Sequence, residues 1–154
     1  MALHIVRHGS AGSRPFADGD DLDRPLDTRG REQATRIAQH FESAQVRAIW
    51  SSIATRCVET LEPLAAASEI EIATFRELTE GAPPIDLIEM LRSNAHLDGD
   101  LVMCSHGDLI PEVINALYRD GMSVVGARGC EKGSIWTLHT RGRDILRATY
   151  TAKP

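Results

Sequence analysis

Short apolar runs of strand character alternate with amphipathic stretches of helical period along most of this chain, and that alternation restricts the possible folds more than any other feature. The strand-like runs are ALHIVR (2–7), VRAIW (46–50), IEIATF (70–75), DLVMC (100–104), SIWTLHT (134–140) and ILRATY (145–150). In residues 28–41, Ala34, Ile37, Ala38 and Phe41 recur at i, i+3, i+4 and i+7, and Asp27 or Thr28 is placed to cap the start. Residues 54–66 carry a stripe of Cys57, Val58, Leu61, Leu64 and Ala65. Residues 83–93 open on prolines suited to a first helical turn, with Ile88 and Leu91 inward, and residues 108–119 offer Leu109, Val113, Ile114 and Leu117. The order βαβαβαβα implies a mostly parallel sheet with helices on both faces. The last two runs, joined through RGRD, must form an antiparallel hairpin. The expected fold is therefore α/β, a three-layer α/β/α sandwich with a C-terminal β-hairpin. With 154 residues, positions 1–154 are read as one domain.

In open α/β sheets, ligands bind beyond the carboxyl ends of the strands. RHGS follows the first strand and brings Arg7, His8 and Gly9. SSIATR follows the second and brings Arg56, RELTEG follows the third with Glu77 and Glu80, and SHGD follows the fourth with His106 and Gly107. Two His-Gly pairs and several arginines thus converge on one edge. Side chains alternate along a strand, so Arg7 and His8 would point apart if the strand ran through both. Gly9 is expected to let the chain turn away by adopting backbone angles that other residues avoid. Arg7, Arg56 and a protonated His106 suit a tetrahedral oxyanion such as a phosphoryl group, which guanidinium groups bind bidentately. A neutral His8 could attack phosphorus through one ring nitrogen while a backbone carbonyl holds the other.

The net charge of −5 argues against a general nucleic-acid binder, though not against a small basic pocket. Cys57, Cys104 and Cys130 are widely spaced and contain no CxxC pair, which reads as reduced thiols packed in a core. The chain enters its first strand without a signal-like segment, and no run approaches the length that spans a bilayer. A cytoplasmic protein without a membrane partner is expected. His4 and His8 lie four apart on a strand, which is not the one-face helical pair of a zinc site, so neither metal nor cofactor is expected.

Taken together, LHIVRHGSAG, SSIATRCVETLEPLA and CSHGD resemble the histidine phosphatase superfamily, the phosphoglycerate mutase-like fold, over nearly the whole chain. DRPLDTRGREQA and RELT are similar to the small SixA-type phosphohistidine phosphatases. RCVETLEPLAA, GDLIPEVI and KGSIWTL resemble the C-terminal phosphatase-like domain of two-domain actinobacterial Nudix hydrolases, of which this chain would be a stand-alone relative.

The resemblance implies that His8 becomes phosphohistidine, that Arg7 and Arg56 clamp the phosphoryl oxygens, and that His106 stabilises transition-state charge. It implies a further phosphate contact from Arg24, with Gly9 and Gly107 also in the binding site. An acid that protonates the leaving group is expected after the third strand. Glu77 is named for it, with Glu80, the acidic loop of Asp18, Asp20, Asp21 and Asp23, or no acid at all as alternatives. Lys132 is read chiefly as a solvated turn residue, and His4, His40, His96 and His139 as packing or surface residues. The function implied is metal-independent hydrolysis of protein phosphohistidine or a small phosphoester or nucleotide. A phosphomutase and a catalytically weak phospho-ligand-binding domain are the alternatives. Oligomeric state is not set by the sequence.

Overall fold

The computed structural model describes residues 2–14 and 21–154. Strands β1 (Ala2–Arg7), β2 (Val46–Ser51), β3 (Ile72–Thr74), β4 (Asp100–Ser105), β5 (Ser123–Val125), β6 (Ile135–Arg141) and β7 (Asp144–Thr151) form one sheet in the order β3-β2-β4-β1-β6-β7-β5. β1, β2, β3 and β4 pair in parallel, β6 runs antiparallel to β1 and β7, and β5 is parallel to β7. Helices α1 (Thr28–His40), α2 (Thr55–Ser68), α3 (Pro84–Asn94) and α4 (Leu109–Arg119) supply the outer layers.

Strand alternation sorts the core into two halves. Leu3, Ile5, Leu101, Met103, Trp136 and Leu138 face the side packed by α3 and α4. Val6, Val102, Cys104 and Ile135 face the other side, against Ile37 and Phe41 from α1 and Leu61 and Leu64 from α2. The expected α/β/α sandwich and its closing hairpin are both present. The three-residue β5 was not anticipated, because SVV is too short to show any alternation. The third run is also shorter than expected. It leaves the sheet after Thr74 and tightens into a 3-10 turn over Arg76–Leu78.

Asp27 caps α1 by accepting from the Gly30 N–H at 2.8 Å. The same carboxylate accepts from the Ser10 hydroxyl at 2.6 Å and the Gly12 N–H at 3.1 Å, so one residue starts a helix and fixes the loop after β1. The Ser10 hydroxyl first, then the Gly30 N–H, hold the Asp27 carboxyl down at about 2. β1 and β4 are neighbours at the centre of the sheet, yet the chain leaves β1 for α1 on one face and β4 for α4 on the other. That divergence opens a crevice at their carboxyl ends, where ligands of doubly wound sheets bind. Among the described residues, no helix is long and apolar enough to cross a membrane.

Candidate active site

Three strand ends build the pocket. Arg7 closes β1 and His8 follows it, Ser51 closes β2 ahead of Ser52 and Arg56, and Ser105 closes β4 ahead of His106. Backbone bonds keep these ends in register beyond the strands, with His8 N–H donating to Ser105 O at 3.2 Å and Ser52 N–H to Cys104 O at 3.0 Å. Arg7, His8, Arg24, Arg56, Glu80, His106 and Gly107 all line one cavity of about 270 Å³, shared with Gly12, Arg14, Asp108 and Lys132.

His8 is buried, and its Nδ1 lies 2.8 Å from the carbonyl of Gly9. The Nδ1–H donates there, which leaves Nε2 as the nitrogen with a free lone pair. Nε2 makes no hydrogen bond among the described residues. Burial lowers the His8 pKa to about 3, with His106, Arg56 and Arg7 adding to the depression and the Gly9 bond opposing it. His8 is therefore a neutral imidazole at ordinary pH.

The His106 ring lies 5.4 Å from that of His8, steeply inclined to it. Its Nε2 is 2.8 Å from Ser52 Oγ and 3.5 Å from Cys57 Sγ, and its Nδ1 is 3.3 Å from Nη2 of Arg56. A guanidinium can only donate. The resting arrangement thus has Nδ1 accepting from Arg56 and Nε2–H donating to Ser52.

Arg56 is 1% exposed and Arg7 half-buried, and the Nε of each is buried without a hydrogen-bond partner. The Arg7 Nη1 donates to the carbonyl of Cys130, in the loop between β5 and β6. Arg56 donates through Nη1 to the carbonyl of Asp21 and through Nη2 to Glu80 at 3.2 Å. An unpartnered buried donor is costly, and two of them on side chains that line the pocket of His8 suit an anion's oxygens.

The glycines have a different logic from the one expected. Gly9 is not among the residues with positive φ. A Cβ there would lie 2.9 Å from the carbonyl of Gly30 in α1, so close helix packing excludes any side chain. Its N–H donates to Thr60 Oγ1 at 2.9 Å and is not offered to a ligand. Gly107 makes room for Arg7, because a Cβ there would meet the guanidinium carbon at 2.6 Å.

Of the candidate acids, Glu80 lines the pocket and Glu77 does not. Glu77 sits in the 3-10 turn with its carboxylate 3.9 Å from Arg76. Glu80 reaches both Arg56 and Arg14. Its loop is pinned by Ser105 Oγ donating to Leu78 O at 2.7 Å and Gly81 N–H donating to Asp108 at 2.8 Å. Asp18 and Asp20 lie outside the described residues. Asp21, at a φ of 47°, holds Arg24 and faces Arg56, and the Arg24 bond is the main cause of its lowered pKa. Arg24 lines the pocket but spends four of its N–H bonds on Asp21, Ala11 O and Gly12 O, so it braces the loop. Asp23 does not line the pocket.

Ser52 and Lys132 gain places that their sequence context did not show. Ser52 stood inside the quoted SSIATR, but its partner His106 is 54 positions away and nothing local announces the pairing. Lys132 reaches the pocket because Gly133 N–H donates to the carbonyl of Arg7 at 3.0 Å, tying the β5–β6 loop to the end of β1. Cys57 and Cys104 are buried core thiols, as expected.

Residues 3–82 match the model of the histidine phosphatase superfamily (branch 1). Over 153 residues the chain is 33% identical to the 8-oxo-(d)GTP phosphatase of Mycolicibacterium smegmatis, a similarity covering 97% of this chain and 48% of that protein. The chain thus spans about half the length of that curated relative. The structure of the protein histidine phosphatase SixA complexed with tungstate is similar at a TM-score of 0.76 and 18% identity, covering 98% of this chain and 94% of that one. A mycobacterial glucosyl-3-phosphoglycerate phosphatase is similar at 0.68 and 19%, covering 97% and 96%. At such identities these two structures support the fold alone.

Proposed function

The chain belongs to the histidine phosphatase superfamily, and we propose that residues 1–154 act as one catalytic unit hydrolysing a phosphorylated substrate through a phosphohistidine on Nε2 of His8. The observation that carries this reading is the pairing of an unpartnered Nε2 on a neutral, buried His8 with the unpartnered Nε donors of Arg7 and Arg56. The lone pair of His8 Nε2 attacks phosphorus, and the bond from phosphorus to the leaving atom breaks. Arg7 and Arg56 bind the equatorial oxygens, where charge accumulates in the transition state, and the His106 ring stands beside them, 5.4 Å from that of His8. Glu80 in its acid form donates its proton to the leaving atom, and the carboxylate so formed takes one from the water that attacks the phosphohistidine, which breaks the bond from phosphorus to Nε2, frees His8 and releases orthophosphate. The Glu80 carboxylate lies 3.2 Å from Arg56, the guanidinium that a phosphoryl group would take over.

A small phosphorylated molecule is the preferred substrate over a protein phosphohistidine. The 33% identical relative acts, by its name, on a nucleotide. The positive charge comes from side chains, so turnover is expected without an added metal. Steady-state release of nitrophenol from p-nitrophenyl phosphate in excess chelator tests the reading. Activity in wild type that is lost in Arg56→Ala supports it. Equal rates in the two proteins, or activity only after a divalent metal is added, would overturn it.

A further inference from the structure

A second cavity, of about 830 Å³, adjoins the phosphoryl pocket along the outer face of α1. Lys132 lines both cavities, and Ser10, two residues after His8, lines the larger one. The side chains of Arg29, Arg36, Lys132 and Lys153 surround it against those of Glu32 and Glu131 and the terminal carboxylate at Pro154, and among the described residues Glu32 lies 3.9 Å from Arg36. Such a cationic excess stands out in a chain of net charge −5. The opposite rim has the reverse balance. Glu77, Glu80 and Asp86 line it with a single Arg76, beside the exposed Ile53, and of the three Glu80 is already paired with Arg56 and Arg14. Any leaving group that carries negative charge is repelled from the side of the 3-10 turn and drawn along α1. The volume is that of a small-molecule site rather than of a flat protein-docking face.

We infer that this groove is a subsite for a second anionic group, such as a further phosphate, on the leaving side of a small phosphorylated substrate. The inference rests on the phosphatase reading for the position of the first phosphoryl group. Two anionic groups joined in one molecule occupy both cavities at once, so the second binds at a high effective concentration. Attraction in an open groove of this kind is screened by salt over about 10 Å at 0.1 M.

The test measures inhibition of p-nitrophenyl phosphate turnover by orthophosphate, which fills only the phosphoryl pocket, and by inorganic tripolyphosphate, which is long enough to leave it. In wild type, tripolyphosphate should bind at least tenfold more tightly. In Arg36→Glu/Lys153→Glu the ratio of the two inhibition constants should shrink at least fivefold, and added salt should shrink it in wild type as well. Arg119→Glu/Arg143→Glu, at two exposed positions on α4 and in the β6–β7 turn, makes the same change in net charge and should leave the ratio as it was. An unchanged ratio in the double variant would overturn the proposal. So would loss of turnover of an acidic phosphohistidine protein in that variant with the tripolyphosphate ratio intact, which would assign the groove to a macromolecule. If wild type shows no turnover at all, the phosphatase reading fails, while calorimetric titration of the same two anions still reads the groove.

Discussion

Strand β1 carries two buried histidines, His4 within it and His8 one residue past its end, each 6% exposed. They differ in what their nitrogens meet. The Nδ1 of His4 is 3.0 Å from Thr137 Oγ1, its Nε2 is 3.3 Å from the carboxylate of Asp100, and its ring packs edge-on against Phe41. Its Nδ1 is hydrogen-bonded, and its Nε2, which makes no hydrogen bond among the described residues, faces a carboxylate, so the nearest charge is negative. His8 spends one nitrogen on a backbone carbonyl and turns the other toward cations. Burial lowers both pKa values, but Asp100 opposes the shift at His4 while His106 and two arginines extend it at His8. Residue type and burial are thus the same, and the partners decide which ring is held against a carboxylate and which keeps a lone pair facing cations for the proposed attack.

The sharpest way to break this contrast is to exchange each ring for a methyl group. His8→Ala is expected to lose at least about a thousandfold in kcat, since no other group in the pocket can form the covalent intermediate. Circular dichroism should show an intact fold. His4→Ala should keep kcat within about twofold, and urea unfolding should show a loss of about 1–3 kcal/mol from the stranded Asp100 and Thr137. Comparable kinetic losses in both variants would dissolve the contrast.

Glu80→Gln ranks next. An alkyl phosphate needs a proton on its leaving oxygen, so its turnover should fall by about a hundredfold, whereas an aryl phosphate with a good leaving group should fall much less. Glu77→Gln should spare both substrates. A uniform loss for both substrates in Glu80→Gln would show that Glu80 binds rather than donates.

Ser52→Ala should cost about tenfold in kcat/KM, because His106 loses the partner that fixes its tautomer. Ser52→Thr should recover most of the loss, and a kcat/KM unmoved by Ser52→Ala would make that residue merely structural.

The smallest effect is on stability in acid. Unfolded His8 takes up a proton below its ordinary 6.5 and folded His8 only near 3, so the unfolded chain binds more protons across that window. Stability therefore falls as pH falls from 6.5 toward 3. His8→Ala should show a shallower decline of Tm between pH 7 and 4, which thermal melts will measure. A slope identical to wild type would mean that the ring is not held neutral.

Much of this was legible in the sequence, for a physical reason. Apolar alternation gives strands and their faces, and an open parallel sheet gathers its strand ends at one edge. RHG, SSIATR and SHGD therefore point to a single pocket from the sequence alone. Pairings between distant residues were not legible. Ser52 with His106, Gly107 with Arg7, and Gly9 with Gly30 are each set by how elements pack, and no local pattern encodes them. The choice between Glu77 and Glu80 failed for a related reason. Glu77 lies in the 3-10 turn and Glu80 two residues past its end, and which carboxylate faces inward depends on the pins from Ser105 and Asp108.

The central claim is that His8, and not another group, carries the phosphoryl group. Wild type, His4→Ala and His8→Ala are mixed briefly with radiolabelled substrate, quenched in base and mapped by peptide. Phosphohistidine survives base and is lost in acid. The expected result is one acid-labile, base-stable label on the peptide bearing His8, present in wild type and His4→Ala and absent from His8→Ala. A label that persists in His8→Ala, or that maps to any other peptide in wild type, would contradict the account.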